Sequence, residues 1–428
     1  MLKKEMIEHL KEEYINDKNN TIKQRVLNKV QLVDLVQDKS TELTENFSIN
    51  IKTHGVIDQE HSGRCWFFAG LNILREKVID KCELDNFELS GSYIAYYDKL
   101  ERFNISIERL ISYKNENKNL YDRYVSNLLK NGIQDSGYFT QFVSLVNKYG
   151  IVPKSVFPET YASSNTYEIN QILSRLLRKF YIDLENIDDV KVLKNDYMEK
   201  AYTIITNFYG LPPETFDFEY TDKNEKYHID KAITPIDFLK KYINIDLNNY
   251  IEITAYKDDK FKYNNVYELE ESAIISGDNN IITLNISQNE LEELIIKQLK
   301  NNEVVHFSCS TTSKRIDGIW IDLMERYGEL LDINLKLDNN SIKKTNGLTN
   351  NHCMLITGAN IIDNKITKWK IENSWGVDYG NKGYCIATND WLKTYVYRIV
   401  INKDNLSSQQ FKILNQDKIT IRNWDAKC

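Results

Sequence analysis

The chain has 428 residues, of which 62 are acidic and 55 are basic, so its formal net charge is −7. This balance disfavours a protein that binds nucleic acid, because a surface that follows a phosphate backbone needs an excess or a stripe of basic side chains. Hydrophobic residues make up 42% of the chain and charged residues 27%, which is typical of globular domains and excludes a disordered, collagen-like or disulfide-stapled chain.

The N-terminal half of the chain has helical spacing. Residues 1–50 are polar and predict an N-terminal arm. From Cys65 onward, apolar residues recur at every third or fourth position, which predicts a buried helix of roughly four turns that begins at or near this cysteine. A further helix is predicted over residues 137–149, where Gly150 ends it. Residues 51–165 therefore predict a helical lobe.

The C-terminal half changes character after a long charged block. Residues 166–300 have a helical period over much of their length and predict a mainly helical insertion. Residues 301–410 predict a β-rich lobe. Five short β-prone runs lie within it: Val304–Ser308, Met354–Thr357, Thr367–Ile371, Gly383–Ala387 and Tyr395–Ile401. Helices followed by strands predict an α+β fold with segregated layers.

The cysteines and the N-terminus bear on cofactors and compartment. No Cys-x-x-Cys pair and no close group of Cys and His with zinc-finger spacing occurs, so we expect neither a metal site nor a cofactor. The first ten residues lack the apolar segment of a signal peptide, and no apolar run approaches the length of a membrane span. We therefore expect a cytoplasmic protein, in a reducing compartment where a free thiolate persists.

The first candidate for chemistry is Cys65, in the segment Gln59-Glu60-His61-Ser62-Gly63-Arg64-Cys65-Trp66. A thiol at the N-terminus of a helix experiences the positive end of the helix dipole, which favours the thiolate. Such a cysteine can act as a nucleophile. The alternative is that Cys65 only packs in the interior, as most cysteines do.

Two downstream segments supply possible partners. His352 stands before an apolar, β-prone run, where an imidazole beside a thiol could take its proton; it could equally be a polar residue at a strand end. Asn373 could orient that imidazole through its amide carbonyl, and Trp375 could cover the hydrogen bond from water. Asn before Ser374 is also ordinary turn chemistry.

Taken in order, these residues match the papain pattern of Cys-Trp followed far downstream by His and Asn. Gln59 lies six residues before Cys65, where its side-chain amide and the backbone N–H of Cys65 could form an oxyanion hole. His352 lies 287 residues after Cys65 (352 − 65), whereas papain-like enzymes leave roughly 130 to 150. An insertion of roughly 140 residues must separate the two halves of the site, and residues 166–300 are its obvious source.

From about residue 45 to its C-terminus, the chain resembles the bleomycin hydrolase and aminopeptidase C family, a branch of the papain-like cysteine peptidases with large helical insertions. Besides the Cys65 segment, the resemblance rests on Phe87-Glu88-Leu89-Ser90, Tyr97-Asp98-Lys99-Leu100-Glu101, Lys148-Tyr149-Gly150-Ile151-Val152-Pro153-Lys154, Thr215-Phe216-Asp217-Phe218-Glu219-Tyr220 and Glu372-Asn373-Ser374-Trp375-Gly376.

The resemblance implies a papain-like two-lobed fold, with the cysteine in the helical lobe, the histidine and asparagine in the β-rich lobe, and residues 166–300 as an oligomerisation layer. It implies a cysteine-type aminopeptidase that works through a thioester acyl-enzyme. The implied roles are nucleophile for Cys65, general base and then acid for His352, orienting residue for Asn373, oxyanion donor for Gln59 and shield for Trp375.

The resemblance also implies a barrel-like homohexamer that admits only short or unfolded peptides to an internal channel. Residues 411–428 would form an arm that runs toward the active-site cleft. The carboxylate of Cys428 would receive the ammonium group of the substrate and block the far subsites, so that single N-terminal residues are removed. The backbone at Gly137 would approach the second residue of the substrate.

Four departures from the family pattern leave the specificity open. Gly91 and Ser136 stand where the family usually has Gln and Gly, and Cys353 places a second thiol after His352. The chain ends in Trp424-Asp425-Ala426-Lys427-Cys428, without the usual proline and shorter than usual. If this arm falls short, the alternatives are a cysteine endopeptidase or a dipeptide-releasing peptidase; a catalytically silent scaffold is a third. A disulfide between Cys428 and Cys65 under oxidising conditions is a separate hypothesis.

Overall fold

The structure is a computed structural model that describes residues 1–36, 44–311 and 318–425. Within these ranges the α-helices are α1 Lys4–Asn16, α2 Lys18–Leu27, α3 Leu32–Val36, α4 Cys65–Cys82, α5 Gly91–Asn115, α6 Arg123–Asn131, α7 Phe139–Tyr149, α8 Tyr161–Ser164, α9 Tyr167–Glu185, α10 Val190–Tyr209, α11 Pro235–Phe238, α12 Gln288–Lys300, α13 Leu323–Leu331, α14 Asn339–Lys344, α15 Asn389–Tyr395 and α16 Ser408–Leu414.

The strands in the same ranges are β1 Ile49–Asn50, β2 Phe216–Thr221, β3 Tyr227–Ile233, β4 Tyr250–Thr254, β5 Asn265–Leu269, β6 Ile281–Asn285, β7 Val305–Cys309, β8 Ile319–Trp320, β9 His352–Ile362, β10 Lys365–Glu372, β11 Tyr384–Thr388, β12 Val396–Asn402 and β13 Ile419–Ile421. A π-helical turn covers Leu239–Ile243, and 3-10 turns cover Leu247–Asn249, Lys403–Asn405 and Asn423–Asp425.

The helix predicted at Cys65 is confirmed as α4, and it is buried on almost every side. Its apolar stripe is at most 1% exposed at Phe67, Leu71, Leu74 and Val78. The helix ends at Cys82, where Glu83 adopts a left-handed conformation. The helix predicted over residues 137–149 is confirmed as α7.

Helices α4 and α7 pack closely because Gly70 has no side chain. A β-carbon added at Gly70 would come within 2.5 Å of the ring of Phe142 on α7. This close approach places the first turn of α7 near the first turn of α4, which begins with Cys65.

One large sheet carries the predicted β-rich lobe. Its strand order is β13-β5-β6-β4-β12-β7-β9-β10-β11-β8, and β1 pairs with the far part of β9. The five predicted β-prone runs are confirmed as β7, β9, β10, β11 and β12. Strands β7 and β9 pair antiparallel with Cys309 opposite His352, and β9 pairs antiparallel with β10. The fold is therefore α+β, with helices first along the chain and most strands later.

The block 166–300 was predicted as mainly helical, and the structure gives it strands as well. It opens with the long helices α9 and α10, and it ends with α12. Between them, β2 and β3 form a separate hairpin, whereas β4, β5 and β6 extend the large sheet beyond β12. Each of these strands has only five to seven residues. Strands this short give a weak period-2 signal within a charged sequence.

The sheet separates two apolar cores. Cys353 of β9 and Val400 of β12 belong to the core formed with α4, α5, α7, α9 and α10. Their neighbours Met354 and Ile399 belong to the core on the other face, under α12 and α15. Successive side chains on a strand alternate between the two faces, which explains this division.

Several segments that carry the family resemblance contact one another. Glu101 accepts hydrogen bonds from Lys148, at 2.5 Å, and from the hydroxyl of Tyr149. The ring of Tyr149 stacks on Tyr97 with centroids 3.8 Å apart. These residues therefore form one packed junction between α5 and the end of α7.

In the described part of the chain, no helix combines the length and the apolar character needed to cross a membrane.

Buried polar contacts fasten α4 to the sheet at the end of β10. Asn72 Nδ2 donates to Glu372 Oε1 at 2.7 Å, and the Arg75 guanidinium lies 3.6 Å from the same oxygen. The Arg75 and Glu372 side chains are only 2% and 1% exposed. Burial raises the pKa of Glu372, while the positive charge of Arg75 acts in the opposite direction. Glu372 directly precedes Asn373, so this contact fixes the site's asparagine relative to α4.

Replacing Arg75 by Met should lower the free energy of unfolding at pH 7.5 by about 3 to 5 kcal/mol, because it leaves the Glu372 carboxylate buried without a cation. The pKa of Glu372 should then rise further in the folded protein. A carboxyl whose folded pKa lies above its unfolded pKa stabilises the fold when protonated and loses that contribution as pH rises. The deficit against the wild type should therefore shrink at pH 5, as measured by urea unfolding.

The matched control is the double variant Arg75→Met/Glu372→Gln, which removes the Glu372 charge together with its cation. Glu76, which Arg75 also contacts at 2.9 Å, loses Arg75 in both variants and keeps its contact with His54. It should be more stable at pH 7.5 than Arg75→Met alone. An equal deficit for Arg75→Met at both pH values would show that the buried carboxylate is not the cause.

Candidate active site

Cys65 is the first residue of α4, at the positive end of the helix dipole, and is 6% exposed. The hydrogen bond from the Cys353 thiol lowers the pKa of Cys65 well below the usual range of a thiol, and the charge and hydrogen bond of His352 add to this against the effect of burial. Cys65 therefore lies in the environment of a thiolate and not of an inert packed thiol.

His352 begins β9 and lies between Cys65 and Asn373. Its Nε2 lies 2.8 Å from Asn373 Oδ1. An amide oxygen can only accept a hydrogen bond, so Nε2 is the donor and carries a proton. In the neutral ring Nδ1 is then free of a proton and is the nitrogen available to the Cys65 thiol. Asn373 follows β10, and its Oδ1 also accepts from the backbone N–H of Ser374 at 2.8 Å, which holds the amide in place.

Trp375 covers the histidine. Its ring stacks on the His352 ring with centroids 4.7 Å apart and an interplanar angle of 25°. Trp320 of β8 stacks behind it at 5.8 Å, and Trp391 of α15 meets Trp320 edge-on at 5.0 Å. His352 and Asn373 are 5% and 1% exposed, so their hydrogen bond is excluded from water.

Gln59 is held by the loop that carries Asn373. Its backbone N–H donates to Ser374 O at 2.9 Å, and the Ser374 hydroxyl donates to Gln59 Oε1 at 2.7 Å. Gln59 Nε2 donates to Ser62 O at 2.7 Å, within the turn that leads to Cys65. The side-chain oxygen thus faces Ser374, and the amide nitrogen faces the start of α4. A primary amide has two N–H donors, so one remains after the bond to Ser62.

Gly137 lies on the indole of Trp66, the residue after Cys65. A β-carbon at Gly137 would come within 2.6 Å of that indole, so the position has no room for a side chain. The Trp66 Nε1–H donates to Asp135 O at 2.5 Å. The Gly137 backbone is therefore fixed next to the helix turn that carries Cys65.

Sequence reasoning did not assign a role to Asp135, which proves to be a buried hub beside the site. Its carboxylate accepts from Gly63 N at 3.1 Å and Asn170 Nδ2 at 3.0 Å, and also from Lys99 and Thr166. Burial alone would raise the pKa of Asp135, but the charge of Lys99 and these hydrogen bonds hold it below its ordinary value. The available signal was Lys99 itself, since a lysine inside an apolar helix needs an anionic partner.

His306, which had no partner motif in the sequence, lies beneath the start of α4. Its Nε2 is 3.1 Å from Trp66 O, and its ring packs on Phe139 at 5.2 Å. Burial lowers the pKa of His306, so the ring is neutral at pH 7. The adjacent cavity, lined by His306, Gly137 and Cys353 among others, has a volume of about 10 Å³ and room for about one water molecule.

The structure thus brings together Cys65, His352, Asn373, Gln59 and Trp375, with Gly137 beside them. Cys428 lies outside the described residues. The described chain ends near Trp424, whose ring meets Tyr124 edge-on at 4.7 Å and lies under Arg123 at 4.9 Å. Across the described ranges, no group of three or more His, Cys, Asp and Glu side chains is arranged to hold a metal ion.

Comparisons with known proteins show the family of this chain. The model of the peptidase C1-like family matches residues 1–428. The chain is 38% identical to an aminopeptidase C of Lactobacillus helveticus, over 90% of this chain and 88% of that protein. It is 34% identical to an aminopeptidase C of Streptococcus thermophilus, over 92% and 91%. The crystal structure of PepW from Lactobacillus rhamnosis HN001 superposes with a TM-score of 0.95 at 31% identity, covering 99% of this chain and 98% of that one.

Alkylation should reveal the thiolate character of Cys65. We expect iodoacetamide to modify Cys65 at pH 6, because its pKa is lowered by Cys353 and His352. In His352→Ala the midpoint of the rate against pH should move upward. Peptide mass mapping of samples quenched at intervals measures the rate at each cysteine.

Cys82, at the other end of α4, is the internal control. Burial raises its pKa, so it should stay unmodified at neutral pH while the protein is folded. A midpoint for Cys65 near that of a free thiol, about 8.5, would contradict the assignment.

Proposed function

The chain belongs to the peptidase C1-like family and is a cysteine aminopeptidase, and we propose that it removes N-terminal residues from short or unfolded peptides through Cys65, His352 and Asn373. One observation carries this proposal: Asn373 Oδ1 accepts from His352 Nε2 at 2.8 Å, and the same imidazole lies close enough to Cys65 to lower the pKa of its thiol. Each partner thereby has the orientation that nucleophilic catalysis by a thiolate requires.

Acylation starts from the thiolate of Cys65 and the imidazolium of His352. The sulfur attacks the carbonyl carbon of the first peptide bond, a C–S bond forms, and the carbonyl electron pair moves onto oxygen. When the tetrahedral intermediate collapses, the C–N bond breaks and His352 Nδ1–H gives its proton to the leaving amine. The shortened peptide departs, and the N-terminal residue remains on Cys65 as a thioester.

Deacylation uses the same imidazole as a base. His352 Nδ1 takes a proton from water, the hydroxide oxygen bonds to the thioester carbon, and the C–S bond breaks to release the free amino acid and the Cys65 thiolate. Asn373 holds the imidazole in one orientation in both steps. Its amide oxygen accepts from the Nε2–H of His352, and the backbone N–H of Ser374 donates to the same oxygen and fixes the amide. Trp375 acts as the shield of this hydrogen bond.

Gln59 and the backbone N–H of Cys65 form the oxyanion hole of this proposal. The Ser62 carbonyl can only accept a hydrogen bond, so the Gln59 atom that contacts it is the amide nitrogen. The second N–H of that nitrogen is the donor assigned to the oxyanion hole in this proposal. A helix N-terminus also provides N–H groups that lack a partner within the helix. Negative charge on the substrate oxygen is stabilised in a site that is almost closed to water.

The exopeptidase mode and the assembly are further parts of the proposal. The C-terminal arm would place the Cys428 carboxylate against the substrate's ammonium group, and Gly137 would pair with the substrate backbone.

A cytoplasmic homohexamer is proposed as the assembly. Its support is that α1 and α2 bury no side chain and expose Met6, Ile7 and Leu10. Light scattering of the purified chain measures the assembly.

The decisive experiment compares aminoacyl fluorogenic amides with N-blocked peptide amides, using wild type and Cys65→Ala. We expect cleavage of the free-amine substrates alone and loss of that cleavage in Cys65→Ala. Cleavage of blocked peptides would favour the endopeptidase alternative, and release of dipeptides without single residues would favour the dipeptide-releasing one. A folded wild type that cleaves neither substrate would favour the silent scaffold.

Gln59→Ala should lower kcat by roughly 10²–10³-fold, because it removes one donor from the oxyanion hole. Gln59→Glu should have a similar effect, since an ionised carboxylate accepts the Ser374 hydrogen bond but has no N–H to donate. The control His61→Ala, at an exposed position of the same loop, should retain wild-type kcat. Steady-state kinetics on an aminoacyl amide makes the comparison, and a Gln59→Glu enzyme with wild-type kcat would exclude the role.

A further inference from the structure

A second thiol lies against the proposed nucleophile. Cys353 lies close enough to Cys65 to lower the pKa of its thiol, although the two residues are 288 positions apart (353 − 65) in the sequence. Both side chains are almost fully buried, at 6% exposed for Cys65 and 7% for Cys353. The first turn of α4 carries Cys65 and the start of β9 carries Cys353, so each sulfur lies on a regular secondary-structure element.

The strand alternation of β9 gives independent support for this placement. Cys353 belongs to the apolar core that contains Cys65 and Trp66, whereas the next residue, Met354, belongs to the core on the other face of the sheet. Cys353 also lines the small cavity beside Gly137 and His306, and the His306 ring contacts Trp66 O. The Cys353 side chain therefore points toward the N-terminus of α4.

We propose that Cys65 and Cys353 form a redox modification site, in which a hydroperoxide oxidises Cys65 and Cys353 converts the product to an intramolecular disulfide that reversibly stops the peptidase. The proposal rests on the nucleophilic role of Cys65 given above. The loss of activity follows directly, because a disulfide sulfur cannot attack a peptide carbonyl.

The chemistry balances in two steps. The Cys65 thiolate attacks one oxygen of the hydroperoxide, the O–O bond breaks, and the products are the sulfenic acid Cys65–SOH and an alkoxide or hydroxide that takes up a proton. The Cys353 sulfur then attacks the sulfenic sulfur, the S–O bond breaks, and the hydroxyl leaves as water with the proton from Cys353. Two thiols are oxidised by two electrons, and one hydroperoxide is reduced.

The first step favours Cys65 and the second favours Cys353. The thiolate is the reactive species, and Cys65 has the lowered pKa while the hydrogen bond to Cys65 and burial raise the pKa of Cys353. Sulfenic acid formation removes the negative charge of Cys65, and with it one cause of the raised pKa of Cys353. The imidazole of His352, which lies near Cys65, can then accept the proton that Cys353 loses.

A neighbouring thiol also protects the nucleophile. A sulfenic acid that meets no thiol is oxidised further to the sulfinic acid, which thiol reagents do not reverse. Cys309 does not offer the same protection, because its side chain lies in the core on the opposite face of the sheet. Cys353 is therefore the thiol in the described chain that we expect to resolve Cys65.

The test treats the reduced full-length protein with hydrogen peroxide, removes the peroxide with catalase, and divides the sample into portions with and without dithiothreitol. Aminoacyl amide hydrolysis is measured in each portion relative to the same variant before treatment. Intact mass and non-reducing peptide maps are recorded in parallel. The variants are wild type, Cys353→Ala and the control Cys82→Ala, whose site lies at the far end of α4, about 25 Å away along the helix.

Wild type and Cys82→Ala should lose activity by about tenfold, recover most of it with dithiothreitol, and yield a peptide linking Cys65 to Cys353. Cys353→Ala should lose activity to sulfinic acid at Cys65 and recover about fivefold less than wild type. The mass readout does not depend on turnover, so an inactive protein that forms the linkage would reject the proposed function and leave the modification site standing.

Three results would overturn the proposal. The first is a peptide map of the wild type in which Cys65 is oxidised but forms no disulfide. The second is a disulfide from Cys65 to Cys428, or from Cys353 to Cys309, in place of the 65–353 disulfide. The third is that Cys353→Ala recovers as much activity with dithiothreitol as the wild type does.

Discussion

The position of α4 against the end of β10 is the constraint on which the site depends. The proposed nucleophile at residue 65 and its proposed partners at residues 352 and 373 can act together only if α4 and β10 meet in one register. The buried contact of Glu372 with Asn72 and Arg75 supplies that register, since a charged side chain in the interior is stable only opposite its partner. A sliding motion of α4 by one turn would leave the carboxylate unpaired, so the packing has discrete positions and not a continuous range.

The loops on either side of this junction behave as one unit. Gln59, Ser374 and Asn373 are linked by successive hydrogen bonds, and the last of them reaches His352. The proposed oxyanion donor, Gln59, and the proposed proton-transfer group, His352, are therefore held by the same hydrogen-bonded segment. A substitution at Ser374 would disturb both together, and the kinetic effects of changes along this chain of contacts should not add independently.

Short-range patterns were sufficient for the elements that carry the candidate site and for its principal side chains. The apolar spacing after Cys65 located α4, the β-prone runs located β7 and β9 to β12, and the Cys, His and Asn motifs located residues that the fold brings together. What escaped prediction are pairings between distant positions. Arg75 and Glu372 are 297 residues apart (372 − 75), and Asp135 collects partners from three other segments of the chain. No local period encodes such partners, because they are defined by tertiary packing alone. The short strands between 216 and 285 were not predicted because their charged surroundings obscured the period-2 pattern.

The distance of 287 residues between Cys65 and His352 also has a consequence for the time order of synthesis. At about 5 to 20 residues per second, the ribosome needs roughly 15 to 60 s to add the proposed general base, His352, after the proposed nucleophile, Cys65. During that interval α4 can pack with its helical neighbours, but its cysteine has no imidazole beside it. Until β9 and β10 emerge, the nascent chain therefore lacks the imidazole and the amide of the proposed site, and the proposed nucleophile has neither partner among the unfolded polypeptides around it.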